Sequence, residues 1–579
     1  MQQAISVEFA MPRRLNVTVL TDELHDAALE QLTSAGQLLE VHAIDRPWGE
    51  QLAFKNTPPN LGGFFMFMLQ HAEKTFLVYR EERYTFGEVW ARANKIAAAL
   101  HDHGVRKGDR VVIAMRNYPE WIFYFIGIVL IGGVAVPLNA WWKGGEIAGA
   151  IDDAGSKLAV VDAERHQRLS SVAAKIKQVV VRGSPIVDNA IADEDFVTGA
   201  ATTPPPVQVT PDDDATIFYT SGSTSYPKGA VSTHRALTNA MFNFAAFGLA
   251  QQAVEKGVTG KEPSSRQPAS LLSVPLFHVT GCHSIFMISV LIGRKVVILD
   301  KWDPEQALRL IEKERVTTFM GVPTMSRELT EHPNREDYDL SSLEEITAGG
   351  AARPAEQLKR LYDTHPNIRP GMAYGLTETN GTGAINNRDG YKVRPASTGR
   401  APKPLAELAI LDDAGERLPD GETGEIAVRA VTIARGYWNR PNDTTAAFTS
   451  EGWFKTGDLG ILEADYLTIV DRKKDMILRG GENIACQEVE AAMLADASVL
   501  EACVFGVPDE RLGEAVSAVV YVDPQGDFAT DRHLEFLASR LAAFKLPKTI
   551  QTTSEPLPRL GSGKIDKLSI KRRFGRRSA

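Results

Sequence analysis

Apolar positions recur along this chain with helical spacing and give way at intervals to short β-branched runs. Thr85 stands three residues before Glu88, as in a capping box, and Val89, Ala93, Ile96 and Leu100 follow on one helical face. Gly104 marks the end of that helix, and 110–114 reads as a strand. The pattern repeats downstream. Asp303 caps and Pro304 opens a helix reaching Glu314, and 316–320 is the next strand. Residues 121–142 carry no charge, and about 20 apolar residues can cross a bilayer. Gly132-Gly133 and Pro137 interrupt this run. It therefore predicts a buried helix, a tight turn and a buried strand, with a membrane span as the alternative. Helices alternating with such strands predict an α/β fold with layered, largely parallel sheets.

Beyond Asp471 the elements shorten. Helices over 487–495 and 531–542, with strands over 502–507 and 516–522, predict a small α+β C-terminal domain of roughly 100 residues. The charged stretch Asp471-Arg472-Lys473-Lys474-Asp475 has little bulk and suits a hinge. The expected division is an extension over 1–60, a large N-terminal domain over 61–470, a hinge at 471–475 and a small domain over 476–579. Within the extension only 24–39 suggests a helix. Residues 251–270, polar with scattered Gly and Pro, predict a surface loop. The basic run 571–577 predicts a solvated end, or contact with a phosphate or anionic surface.

The 579 residues carry 64 basic and 73 acidic side chains, and the net −9 argues against a general nucleic-acid binder. Cys282, Cys486 and Cys503 are too sparse for a disulfide framework or a zinc site, and fit a reducing, cytoplasmic setting. The N-terminus lacks the basic start and apolar run of a signal peptide.

Candidate chemistry begins at Thr220-Ser221-Gly222-Ser223-Thr224-Ser225-Tyr226-Pro227-Lys228-Gly229, directly after the apolar run 215–219. Glycine lets backbone N–H groups approach polyphosphate oxygens, hydroxyls donate hydrogen bonds, and Lys228 supplies a charge. The loop is not the common P-loop, which ends in Gly-Lys-Ser/Thr, and its composition also suits a solvated turn. Four further motifs decide the matter: Tyr374-Gly375-Leu376-Thr377-Glu378-Thr379, Trp453-Phe454-Lys455-Thr456-Gly457-Asp458, the 471–475 stretch, and Gly561-Ser562-Gly563-Lys564. In this order the motifs resemble the adenylate-forming superfamily of acyl- and aryl-CoA synthetases, carrier-protein adenylation domains and luciferase. The resemblance covers about residues 60–570. Ser225 departs from it, standing where the family usually has glycine, and a side chain does not take positive φ without cost.

The resemblance implies ATP-dependent activation of a carboxylic acid to an acyl-adenylate with release of pyrophosphate. Transfer to the thiol of CoA then follows, and AMP leaves. It places Thr220, Ser221, Gly222, Ser223, Thr224 and Lys228 on the β- and γ-phosphates. Glu378, with the Thr224 hydroxyl, would hold Mg²⁺. Gly349, Gly350, Ala351 and Tyr374 would line the adenine, and Thr377 would meet the α-phosphate. Asp458 would accept from the ribose hydroxyls, with Arg472 reaching the ribose or a phosphate. Lys564 would enter on a flexible loop and set its ammonium on the carboxylate and α-phosphate, a contact that counts mainly in the transition state. A mobile small domain would then rotate at Lys474, withdrawing Lys564 and bringing Gly480, Gly481 and Glu482 to a pantetheine tunnel. His278, in Pro275-Leu276-Phe277-His278-Val279, matches an aromatic position beside the carboxylate and tunnel, although a lone His in apolar sequence equally suits a core. None of the three cysteines sits in a matching motif, so no enzyme thiol relay is expected.

Apart from Glu378, given to the metal, the stretches 277–278, 349–351 and 374–381 place no charge to meet an amino acid's ends, and their neighbours are apolar or small. An apolar acid follows: a medium- or long-chain fatty acid first, an aryl, alicyclic or steroid-type acid next. Each buried methylene adds ~0.8 kcal/mol, so pocket depth can select chain length. Free CoA is expected over a carrier protein because no carrier module follows Lys564. A non-catalytic nucleotide or acyl binder would not need Lys228, Glu378, Asp458, Arg472 and Lys564 together. No nucleic acid and no membrane span are expected, while a homodimer and peripheral membrane contact stay open.

Overall fold

The computed structural model describes residues 17–575 except 48, 173, 221–226, 261–263, 352, 354, 524–525, 527 and 561–562. Two eight-stranded sheets form its bulk. In the first, Asp214–Thr220, Val134–Pro137, Arg110–Ala114, Leu158–Asp162, Lys177–Val181 and Ala190–Ala192 run parallel. Lys228–Thr233 and Gly436–Tyr437 close one edge antiparallel. In the second, Arg369–Tyr374, Glu345–Gly349, Thr318–Gly321, Ala269–Leu272, Lys295–Ile298 and Thr75–Tyr79 are parallel, with antiparallel strands Ala384–Asn387 and Glu82–Thr85 at the edges. Central strands covered on both faces must be apolar throughout. Val111 to Ala114 and Leu158 to Val161 are accordingly buried without interruption.

The capping box at the start of Phe86–Asp102 is present: Glu88 N donates to Thr85 Oγ1 at 3.1 Å, and Thr85 N to Glu88 Oε2 at 2.7 Å. Gly104 takes φ +88°, as a helix stop requires. Residues 121–142 resolve into the helix Pro119–Leu130, a turn with Gly132 at φ +70°, and the strand Val134–Pro137. Among the described residues no helix is long and apolar enough to cross a membrane. The helix is apolar all round because it lies in the core. Trp121 stacks on Phe125 at 5.2 Å, and Phe286 lies against Phe65 at 5.7 Å. Truncating a buried ring of this kind to alanine costs on the order of 3–5 kcal/mol.

Two sequence readings are corrected. Residues 251–259 are not loop but the last turns of the 26-residue helix His234–Thr259, held by buried Ala250 and Val254, with Gly260 in the left-handed region. The early helix runs Val17–Thr33 rather than over 24–39. It packs against His234–Thr259: the His25 ring lies 4.6 Å from Phe247. Arg400 donates to both oxygens of Asp26 at 3.2 and 2.7 Å, and Tyr466 to Asp22 at 2.5 Å. The basic run near the end begins on the helix Lys567–Phe574, with Lys571 to Arg573 exposed to solvent as expected, buried Ile570 anchoring the helix and its cations facing the negative helix end.

A four-stranded antiparallel sheet follows, Glu407–Leu411, Thr423–Arg429, Phe454–Glu463 and Tyr466–Arg472. Beyond it a five-stranded sheet gathers Ile477–Arg479, Glu482–Ile484, Val499–Asp509, Gly513–Val522 and Thr549–Thr553. Helices Cys486–Leu494 and Thr530–Ala538 accompany it, near their expected places. Lys473–Asp475 is a short 3-10 turn between the two sheets. Asp471 binds this junction from both sides. It pairs with Leu459 in the four-stranded sheet, while its carboxylate accepts N–H groups from Cys486 and Gln487 at the start of the next helix.

Candidate active site

The site forms where strand ends of the two large sheets face the junction. Thr220 ends one strand and Lys228 begins the next, opposite each other, with Thr220 Oγ1 donating to Lys228 O at 3.3 Å. Ser221, Gly222, Ser223 and Thr224 between them lie outside the described residues, as do Gly561 and Ser562 before Lys564. Lys228 Nζ donates to Asp443 at 2.8 Å and lies 5.3 Å from the Tyr437 ring centre. The Tyr437 hydroxyl donates to Glu378 Oε1 at 2.8 Å. Burial pushes the Glu378 carboxyl above its ordinary range, against the pull of Tyr437 and Lys228. Lys228 and Asp443 are both partly exposed, a type of ion pair worth ~0–1 kcal/mol.

Residues 374–381 make a tight turn after the strand Arg369–Tyr374. A Cβ on Gly375 would sit 2.3 Å from Gly381 O, so only glycine fits there. Asn380 and Gly381 take φ +53° and +81°. Asn380 is pinned by Ser232 Oγ at 2.9 Å and donates to Thr432 O at 2.7 Å. Thr377 and Glu378 thus ride a turn braced from both sides.

Tyr374 crosses to the four-stranded sheet, its hydroxyl donating to Asp458 Oδ2 at 2.8 Å. Arg472 is cross-strand partner to Asp458, with Nε 3.6 Å from Oδ1. Burial raises the Asp458 carboxyl, and the charges of Arg472 and Lys564 oppose that rise. Lys564 arrives from the far end of the chain. Gly350, at φ +76°, leaves the space it occupies: a Cβ there would lie 2.9 Å from Lys564 Cε and 3.3 Å from Nζ. Burial lowers the Lys564 ammonium to about 8, Arg472 adding to the effect and Asp458 resisting it. Lys564, Gly350, Asp458, Arg472 and Tyr374 therefore meet, with Ala351 exposed next to Gly350.

His278 lies against Phe277, rings 4.6 Å apart, with its Nε2 buried and unpartnered. Burial takes its imidazole down to about 3, helped by the charge of Lys564, so the ring is neutral near pH 7. It precedes the π-helix Thr280–Met287; such widened turns are frequent at functional sites. A Cβ on Gly381 would meet Phe244 Cζ at 3.7 Å and Ser284 Oγ at 4.0 Å, which places these two side chains beside the 374–381 turn. Gly480 and Gly481, at φ +62° and +90°, form the exposed two-residue turn between Ile477–Arg479 and Glu482–Ile484. Lys474 stands on the junction turn, its ammonium lowered by burial and by Arg472.

Sequence reasoning missed Tyr437 and Asp443, and read Asp471 only as hinge polarity. Their partners lie 59 positions away for Tyr437 to Glu378, 215 for Lys228 to Asp443 and 15 for Cys486 N to Asp471, so no local pattern marks them.

Residues 64–438 match the model of the AMP-binding enzyme family and residues 488–564 that of the AMP-binding enzyme C-terminal domain. A feruloyl-CoA synthase from Amycolatopsis is 34% identical over 85% of this chain and 94% of its own length. A long-chain-fatty-acid–CoA ligase from Mycobacterium tuberculosis is 31% identical over 85% and 93%. Among solved structures, the Mycobacterium tuberculosis fatty acyl CoA synthetase superposes with a TM-score of 0.68 at 29% identity, covering 90% of this chain and 99% of its own. The o-succinylbenzoate CoA synthetase of Bacillus subtilis, in complex with its acyl-adenylate intermediate, gives 0.75 at 28%, covering 89% and 98%. The chain belongs to the AMP-binding enzyme family and is an acid–CoA ligase working through an adenylate.

Proposed function

We propose that this ligase activates an apolar carboxylic acid, a medium- or long-chain fatty acid first, and passes the acyl group to CoA. The observation that carries the reading is the meeting of Lys564 with Gly350, Asp458 and Arg472, a cationic group set beside a ribose-binding carboxylate. The acid's carboxylate attacks the α-phosphorus of ATP, and the bond to pyrophosphate breaks. Lys564 steadies the charge that gathers on the α-phosphoryl oxygens and the entering carboxylate. Thr377 presents its hydroxyl to the same phosphoryl group, Asp458 accepts the ribose hydroxyls, and Tyr374 with Gly349 to Ala351 borders the base. Lys228, held at its carboxylate only by a weak surface pair, exchanges Asp443 for the β- and γ-phosphates, together with Thr220 and the 221–224 loop.

Among the described residues no group of three His, Cys, Asp or Glu side chains could hold a metal. That suits Mg²⁺, which takes one or two protein oxygens and fills its shell with phosphate and water. Glu378, with Thr224, would hold it, and the ion would neutralise phosphate charge. In the second step the CoA thiolate attacks the acyl carbonyl, the C–O bond to AMP breaks, and AMP leaves. Gly480 and Gly481 border the path of the pantetheine once the small domain has turned at Lys474, and neutral His278 flanks its end.

The apolar acid is supported by Phe244 beside the 374–381 turn and by the neutral His278 ring, which packs on Phe277 and feels the charge of Lys564. A second reading, an aryl acid, is favoured by the Phe244 ring, whose Cζ edge lies beside Gly381, and by the likeness to a feruloyl-CoA synthase. Pyrophosphate release is measured with fatty, hydroxycinnamic and alicyclic acids, with and without CoA. Release with C10–C18 acids, and acyl-CoA when CoA is added, is the expected result. Turnover confined to ring acids selects the second reading. Acid-dependent release that never yields acyl-CoA refutes CoA as the acceptor.

A further inference from the structure

We propose that Arg559 is a positioning residue that clamps the Lys564 loop onto the Pro323–Thr330 helix of the large domain. The inference rests on the role given above to Lys564. The described residues on either side of 561–562 pair antiparallel: Leu560 N donates to Lys564 O at 2.7 Å, Gly563 N to Leu560 O at 2.8 Å, and Arg559 bridges to Ile565. The Arg559 guanidinium crosses this pairing and donates to Gly563 O at 2.8 Å, one residue before Lys564. The same Nη1 donates to Thr324 Oγ1 at 2.9 Å, and Nη2 lies 3.8 Å from Glu328; both partners are on the Pro323–Thr330 helix. On the small-domain side Nη2 is held by Glu501, a carboxylate only 4% exposed that also accepts Leu557 N at 2.8 Å.

One planar cation thus joins the loop backbone, the small-domain sheet and a large-domain helix, using the fork geometry that lysine lacks. Charge-assisted bonds of this kind are about twice as strong as neutral ones. The loop backbone also rests on the helix: a Cβ on Gly563 would meet Val322 Cγ2 at 3.3 Å and Met325 Cε at 3.7 Å. Arg327 Nη1 adds a separate tie to Leu500 O at 2.5 Å, but it holds the strand, not the loop. Arg559 is the contact that sets where Lys564 begins.

The test separates the two half-reactions in the full-length enzyme: pyrophosphate release with acid and ATP, and acyl-CoA formation from supplied acyl-adenylate and CoA. Arg559→Met is expected to lower the first by about tenfold or more and leave the second within about twofold. Arg559→Lys recovers only part of the loss. Thr324→Val, which removes the partner on the other domain, lowers the first by about two- to fivefold, and the double variant is no worse than Arg559→Met alone. Equal loss of both half-reactions, or fully additive effects of the two substitutions, overturns the clamp. Should Arg559→Met fail to fold, Thr324→Val decides, because its hydroxyl touches no small-domain core. Lys564→Ala is run beside them. If it loses adenylation and Arg559→Met does not, the clamp alone falls; if it keeps adenylation, the role of Lys564 falls and the clamp with it.

Discussion

Replacing Lys564 with alanine is expected to slow acid-dependent pyrophosphate release by about 10²–10³-fold, the range seen when a donor to developing oxyanion charge is removed. Thioester formation from supplied acyl-adenylate should stay within a few-fold of the parent. On the role proposed for Lys564, the asymmetry follows from the position of the ammonium beside Gly350, Asp458 and Arg472, where charge would appear only while the α-phosphorus is attacked. Both half-reactions are read on the same preparation. Equal loss in both would mean that Lys564 holds the fold or the nucleotide and has no part peculiar to the first step.

The pH dependence gives an independent reading of the same group. The ammonium is the working form, and in the free enzyme it titrates near 8 because burial and Arg472 disfavour the charge. The kcat/KM of adenylation reports the free enzyme, so it should be full below that value and fall as pH rises through about 8. Bound ATP and acid bring negative charge to the ammonium, and the corresponding limb in kcat lies at higher pH. The folded chain also binds fewer protons here than the unfolded one between about 8 and the ordinary lysine range, so this group's contribution to stability rises with pH across that window. An alkaline limb that survives unchanged in Lys564→Ala would assign it to another group.

Glu378→Gln should raise the Mg²⁺ concentration needed for half-maximal adenylation by about tenfold or more, because an amide offers the ion no charge. Its carboxyl already bears a burial penalty, relieved by the Tyr437 hydroxyl and Lys228. Mg²⁺ requires the ionised form, so its apparent affinity in the parent enzyme should weaken as pH falls through the raised Glu378 value. A magnesium titration at two pH values on both proteins tests this, and an unchanged magnesium requirement in the variant counts against Glu378 as a ligand.

The legible parts of this chain were those in which cause and consequence lie a few residues apart. The Thr85 and Glu88 capping box, the Gly104 stop and the break at Gly132-Gly133 each declare themselves within one turn of backbone. The helix over 251–259 did not. Its polar face reads as loop until Ala250 and Val254 are seen to be buried in the core. The site followed the same rule. The motifs offered candidate residues, but not the side chains packed against them. Glu378 stood out as a candidate while Tyr437, which donates to it, did not; Lys564 stood out while Arg559, bonded to the residue before it, did not. Asp471 was read as hinge polarity, yet its carboxylate caps the helix Cys486–Leu494 across the junction, a pairing that only the fold creates.

The helix Val17–Thr33 lies before the first residue matched by the family model, yet its Asp26 and Asp22 hold Arg400 and Tyr466. The segment shared with relatives and the segment that folds together are therefore different lengths of polypeptide. A chain trimmed at residue 64 to the family's boundary would keep every catalytic candidate yet take Asp22 and Asp26 from the half-buried guanidinium of Arg400, leaving it Asp465 at 3.5 Å. Evolutionary kinship drew one border through this protein, and charge neutrality draws another.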